Sequence, residues 1–429
     1  MLNEHEMRRT VVGEMHLRRW PAVPANCMIL QIVSLVERDE RDLEQAALRD
    51  LPEGAEIEHN PNQRHLSGRF AQGISFNWER HSEASSLTIF AEGEFPERDM
   101  PKADAEGSDV ARALHWALGL PGKVIRATRI IVVRDEKRGE RLAPQFAFEK
   151  ADLVSCHIGC EGGQKRARIW SDFRLRQSGF GLVLVAANGM EPSDLSRTIQ
   201  RLQELGNYRN LALLGLPIAQ HGWAIHDHIE ARLGEVTQRI TDPDVTDDAL
   251  LEEVTGLSIE LASEASGSDF RMSATEAYAA IVAERIEDLG ITAIEGYQSL
   301  SDFIQRRLYP AVRTCAAHRR RSERLAQRTG QFISLFRTRI ETRIENQNAR
   351  LLGSMEKSAV RQLRLQQLVE GFSVVALTYY GMSLIHYMLE GLEDTGAHLP
   401  LGLIIAILTP LVALTIWLSI HRRKKQILG

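Results

Sequence analysis

The most chemically suggestive feature of this 429-residue sequence is a set of polar groups inside an apolar stretch. Between Leu368 and Leu389 lie Ser373, Leu377, Tyr380, Gly381, Met382, Ser383 and Leu384. Hydroxyls in hydrocarbon are costly unless they meet protein, water or a passing ion. Ser373, Leu377, Tyr380/Gly381 and Leu384 fall at helical spacing, so one helix face can carry them. Gln366 and Glu370 stand where the stretch begins, and Glu390, Glu393 and Asp394 follow its end. Rings of such carboxylates are what cation pathways use. A ring requires several copies of the chain, because two helices cannot enclose a pore alone.

Two other constellations invite a reading. Glu79-Arg-His81-Ser-Glu83 sets two carboxylates and an imidazole at alternate positions, as acid–base or metal chemistry would need. No nucleophile or partner ligand is identifiable elsewhere, and a solvated sheet face or a subunit contact fits the same pattern. Cys156-His157-x-x-Cys160 offers soft ligands. On a strand, however, His157 faces away from Cys156, and no second ligand pair follows. Gly162-Gly163-Gln-Lys165 lacks the spacing and the following helix of a phosphate loop. We therefore expect no enzyme, no catalytic residue and no resident cofactor.

The elements that must position the first set are two apolar stretches, Leu368–Leu389 and Leu399–Ile420, each of about 22 residues. Roughly 20 residues of helix cross the ~30 Å hydrocarbon core. Arg361 and Arg364 precede the first stretch, His421-Arg-Arg-Lys-Lys425 follows the second, and an acidic loop joins them over 390–398. Basic flanks stay on the cytoplasmic side. The expectation is a two-span membrane protein, both termini cytoplasmic. The first span is polar enough to face protein or water, and the second is apolar enough to face lipid.

Composition agrees with a large polar remainder. The chain is 44% hydrophobic and 25% charged, with a formal net charge of −5. That balance gives no reason to expect a nucleic-acid partner. The N-terminus lacks the apolar core of a secretory signal, so the region before the spans is expected in the cytoplasm. Four cysteines are too few for a disulfide framework.

Taken in order, residues 1–190 read as an α/β domain with a sheet of five to seven strands. The strands are placed at 26–36, 73–80, 84–90, 124–133, 153–158, 167–173 and 181–187, with helices at 39–51 and 110–118. Residues 191–310 read as an acidic helical region, with helices at 194–205, 211–239, 246–265 and 273–308. Residues 311–367 read as a basic stalk helix, 368–420 as the membrane hairpin and 421–429 as a basic tail. The overall class is α+β. As one helix, Ala311 to Leu389 would run about 120 Å. An apolar seam follows the stalk through Leu325, Phe332, Phe336, Ile340, Ile344, Leu351 and Met355, narrow enough for packing against copies of itself. A fold-back at Pro310 would lay the acidic region along the arginine-rich stalk.

Several stretches resemble a bacterial family catalogued as a membrane-anchored domain of unknown function. They are Arg8–Pro21, Trp78–Glu83, Tyr208–Pro217 and Leu363–Ala376 with Tyr379-Tyr380. Separately, the layout resembles the CorA class of magnesium channels. These combine a cytoplasmic α/β domain, acidic helices against a basic stalk, two C-terminal spans and a short outer loop. Their Tyr-Gly-Met-Asn signature is matched here by Tyr380-Gly381-Met382-Ser383, with serine in place of the asparagine. That resemblance implies a homopentamer whose first span lines a path for Mg²⁺ or another divalent cation, with membrane lipid around it.

Overall fold

The computed structural model describes residues 5–8, 11–12, 20–62, 64–93, 108–159, 165–393 and 401–428, with the side chains of 58–62, 392–393, 401 and 423–428 left out. Contacts divide the chain into two compact units. One is Met1–Val245 with Glu252–Phe332, and the other is Thr246–Leu251 with Ile333–Gly429.

The first unit is built on one sheet, of ten strands among the described residues. They are β1 (Cys27–Leu35), β2 (Glu56–Asn62), β3 (His65–Ala71), β4 (Ile74–Arg80), β5 (Ala84–Glu92), β6 (Lys123–Val133), β7 (Val154–Ile158), β8 (Ala167–Ser171), β9 (Gly181–Ala186) and β10 (Thr292–Ala293). Their order is β10-β7-β8-β9-β6-β1-β5-β4-β3-β2. The β6–β9 pair is parallel and the other pairs are antiparallel. The helices are α1 (Arg41–Arg49), α2 (Asp109–Leu118), α3 (Glu136–Leu142), α4 (Pro192–Leu213), α5 (Gly215–Arg239), α6 (Asp247–Asp288), α7 (Leu300–Glu393) and α8 (Leu401–Leu428).

Both faces of the sheet are covered, which is why its central strands read as unbroken apolar runs. Along β1, Cys27, Ile29 and Val33 join a core completed by Ile199 and Leu202 of α4, Val282 of α6 and Ile304 of α7. The alternate residues Met28, Leu30 and Ile32 join Leu48 of α1 and Val110 and Leu114 of α2. A third cluster packs Leu142 of α3 on Ile131, Trp170 and Leu184.

The sheet exceeds the five to seven strands expected, because three strands lack the β-branched alternation that marks the rest. β2 (EIEHNPN) carries a proline, and β3 (HLSGRFA) places Gly68 where a Cβ would sit 2.7 Å from the ring of Phe76. β10 is two residues within a turn.

The helical region differs in two places. α6 is continuous across the expected break between 265 and 273. The chain reverses not at Pro310, which lies inside α7, but over 289–299. Gly290 and Gly296 take positive φ there (48° and 81°), which costs glycine little. Ser299 then caps α7, its hydroxyl accepting from the Asp302 N–H at 3.1 Å.

In the second unit, Thr246 caps the start of α6 by accepting from the Ala249 N–H (3.2 Å). Asp247 receives Arg339 at 3.1 Å and also Arg343. The seam is buried at Phe336, but Ile344, Leu351 and Met355 are 50%, 61% and 66% exposed. Two helices are long and apolar enough to cross a membrane, over Leu300–Gly391 and Gly402–Arg422.

Candidate functional site

The residues nominated for a cation path sit on the last turns of α7. Ser373 and Ser383 donate their hydroxyl protons to the carbonyls of Val369 (2.8 Å) and Tyr379 (2.9 Å) in their own helix. Gln366 donates to Glu370 at 3.3 Å. Met382 is buried, and a Cβ on Gly381 would lie 3.8 Å from Cγ1 of Val412 in α8. Leu377, Tyr380 and Leu384 are exposed. Gly381 and Met382 thus occupy a different face from Leu377, Tyr380 and Leu384. Glu390 is exposed. Glu393 ends α7 with its side chain outside the described residues, and Asp394 lies outside them altogether.

Among the described residues, the other two constellations are arranged differently from what their sequence spacing suggests. Glu79 belongs to β4, whereas His81 and Glu83 lie in the turn to β5, so alternation along one strand does not hold. Glu83 is engaged by both guanidinium nitrogens of Arg271 on α6. His81 lies 3.3 Å from the Ser86 hydroxyl. Cys156 is buried, and burial pushes its thiol up to about 11, so it is not a thiolate at neutral pH. His157 points the other way and meets Glu136 at 3.3 Å. Cys160 lies outside the described residues.

Sequence reasoning missed a cluster on three helices of the first unit. His226 of α5, Glu264 of α6 and His318 of α7 converge, with their ligand atoms all within 4.8 Å of one another. Nε2 of His226 lies 3.1 Å from one oxygen of Glu264, and Nε2 of His318 lies 3.1 Å from the other. The imidazoles stack at 4.5 Å with a 22° tilt. Both histidines are fully buried. Burial pushes the His318 pKa below the ordinary imidazole range; Glu264 opposes this and His226 adds to it.

The signal was present in the helical spacing. His226 falls in step with the buried residues Ala219, Gly222, Ile229 and Leu233. His318 falls in step with Ala311, Cys315, Ser322 and Leu325. An ionisable residue on the buried stripe of each of three neighbouring helices is the pattern to look for.

A second buried polar set lies between β6 and α4. The guanidinium of Arg126 donates to Gln31 (3.0 Å), Asn207 (2.7 Å) and Gln203 (2.5 Å), all amides rather than carboxylates. Gly206 makes room for it, since a Cβ there would lie 2.6 Å from Nη2 of Arg126.

No curated protein and no solved structure matches the chain. A family model described as a protein of unknown function (DUF3422) matches residues 3–427. With nearly its whole length inside that match, the chain belongs to the DUF3422 family.

Proposed function

We propose that this protein is an oligomeric channel or transporter of a bacterial inner membrane that passes divalent metal cations, Mg²⁺ among them. Both termini lie in the cytoplasm, and the first unit governs the path from that side. The protein acts without a covalent step. A pentamer is the favoured assembly, because it gives five first spans around one axis.

The observation that carries this reading is the contrast between the two apolar helices. Among its exposed apolar residues α7 presents three tyrosines, Tyr379, Tyr380 and Tyr387, whereas α8 exposes Leu403, Ile407, Leu411 and Leu414, with Trp417 towards its end. A mostly aliphatic surface suits lipid, and a face with several phenolic hydroxyls suits protein or water. The uncovered stalk residues Ile344, Leu351 and Met355 add an apolar stripe that further copies would bury.

A non-conducting anchored oligomer is the second reading. Ser383 favours it, because its hydroxyl is already engaged by Tyr379 and supplies no side-chain carbonyl to a hydrated ion. Imaging of the detergent-solubilised particle, with cation flux into liposomes, separates the two. A five-fold particle with flux lowered by replacing Glu390, Glu393 and Asp394 supports the channel. A dimer, or well-folded oligomers without flux, overturns it.

A further inference from the structure

The charged groups of the first unit are mostly matched in pairs at its surface, where little depends on any one of them. The His226–Glu264–His318 cluster is different. It is buried, and its polar atoms outnumber their partners. Nδ1 of both histidines and Nε2 of His318 make no hydrogen bond. A buried polar atom without a partner is costly, so three in one cluster require an explanation.

We propose that His226, Glu264 and His318 bind one divalent first-row transition-metal ion, with Zn²⁺ as the fitting case. The chemistry follows from the donors. Two imidazole nitrogens and a carboxylate suit zinc, iron, cobalt or nickel, whereas Mg²⁺ and Ca²⁺ take oxygen ligands. An ion at this point takes lone pairs from both Nε2 atoms and from Glu264. The carboxylate is then neutralised and the orphaned nitrogen of His318 is used. The two Nδ1 atoms carry the ring protons.

The fold leaves room at this point. Residue 222, one turn before His226, is glycine. A Cβ there would lie 2.2 Å from Nε2 of His318 and 2.7 Å from Oε1 of Glu264. Any larger residue would collide with the donors, so glycine is what lets His318 and Glu264 approach the α5 backbone this closely. Access is also provided. A cavity of about 240 Å³ reaches His318 between α6 and α7, with Ser268, Met272 and Ser322 along its wall and Asp269 and Glu323 at its rim. Three protein ligands beside a cavity leave a coordination position for water or a small ligand, as in zinc sites that are not purely structural.

The alternative is a carboxylate bridging two histidines by hydrogen bonds alone. Such a bridge needs an N–H from each ring directed at Glu264, and Nε2 of His318, although 3.1 Å from the carboxylate, lacks the alignment of a hydrogen bond.

The test uses the full chain in detergent, stripped with a chelator and then titrated with Zn²⁺ or Co²⁺. The expected result is one ion per chain, a raised melting temperature, and visible Co²⁺ bands of low-symmetry coordination. Glu264→Gln keeps the shape and hydrogen-bonding capacity of the side chain, so it is expected to fold and to lose the ion. His318→Asn is expected to do the same. Wild-type protein that retains neither ion overturns the proposal whatever the variants do. Undiminished binding in folded Glu264→Gln and His318→Asn also overturns it. Conduction plays no part in these readouts.

Discussion

Arg271 of α6 grips Glu83 in the β4–β5 turn through two near-parallel hydrogen bonds, Nη1 to Oε1 at 2.8 Å and Nη2 to Oε2 at 2.7 Å. Both side chains are largely shielded, at 17% and 14% exposure. Burial and the adjoining Glu83 carboxylate also push the Tyr278 phenol upward, so it stays protonated. Arg271→Ala leaves a shielded carboxylate without its fork. The expected loss is about 2 kcal/mol, read as a lower melting temperature of the solubilised chain. Arg271→Lys should recover only part of it, because an ammonium cannot make the two-point contact. An unchanged melting temperature in Arg271→Ala would show that the pair is ornamental.

Arg126 gives a second test. Its amide partners Gln31, Gln203 and Asn207 are buried with it, and burial pushes the guanidinium pKa well down. Arg126→Leu removes the donor common to all three, at an expected cost of about 3 kcal/mol. Adding Gln203→Leu to that variant should return part of the loss, since it removes one orphaned amide. Denaturant unfolding of the single and double variants measures both effects. Additive losses would refute a shared network.

The pH dependence of stability should carry the signature of Glu136, the first residue of α3. Burial tends to raise its pKa, but hydrogen bonds from Arg168 and His157 outweigh this and hold it below the usual carboxylate range. A depressed carboxyl stabilises the fold above its unfolded pKa of ~4.3, and that contribution fades as pH falls through the lower folded value. Wild type should therefore exceed Glu136→Gln in melting temperature at pH 7, with the gap closing below about pH 4. A gap that persists at pH 3 would assign the effect to shape rather than charge.

Ser383→Asn addresses the transport reading directly. The substitution supplies a side-chain carbonyl that can accept from the water shell of an ion. In liposomes it should raise divalent-cation flux above that of wild type, with unchanged assembly size. Equal, negligible flux from both proteins would favour the anchored, non-conducting oligomer.

How much of this was legible in the sequence depended on the kind of signal. The strands around Met28–Val33 and Ile130–Val133 are covered on both faces, and their unbroken apolar composition says so. The two apolar helices near the C-terminus are readable from length and unbroken apolar composition alone, although their side chains are largely exposed. β2 and β3 are held in the sheet by backbone pairing and by the fit of Gly68 to Phe76, neither of which leaves an alternation of side chains. Pro310 misleads because a proline early in a helix can be accommodated when the surrounding packing holds it. The turn instead used Gly290, Gly296 and the cap at Ser299. The acidic region was expected to pair with the stalk, and it does so at Arg319 with Glu276, at Arg321 with Asp227 and Glu230, and at Arg339 and Arg343 with Asp247. Glu253, however, is taken by Arg232 and Arg239 of α5, and Glu264 by two histidines. Partner choice is set by which helices meet, and net charge along the sequence does not encode that.

The two-residue strand β10 has a consequence for how the protein is made. Thr292 and Ala293 pair with His157 and Cys156, and Leu300, Ile304 and Leu308 enter the same core as β7. A ribosome-bound chain that ends before this turn exposes the edge of Val154–Ile158, the kind of surface that recruits foreign strands. The sheet therefore cannot be completed as its own residues emerge. It waits for the segment made last before the stalk, shortly ahead of the first apolar span. A fragment cut at residue 190 should therefore aggregate rather than fold.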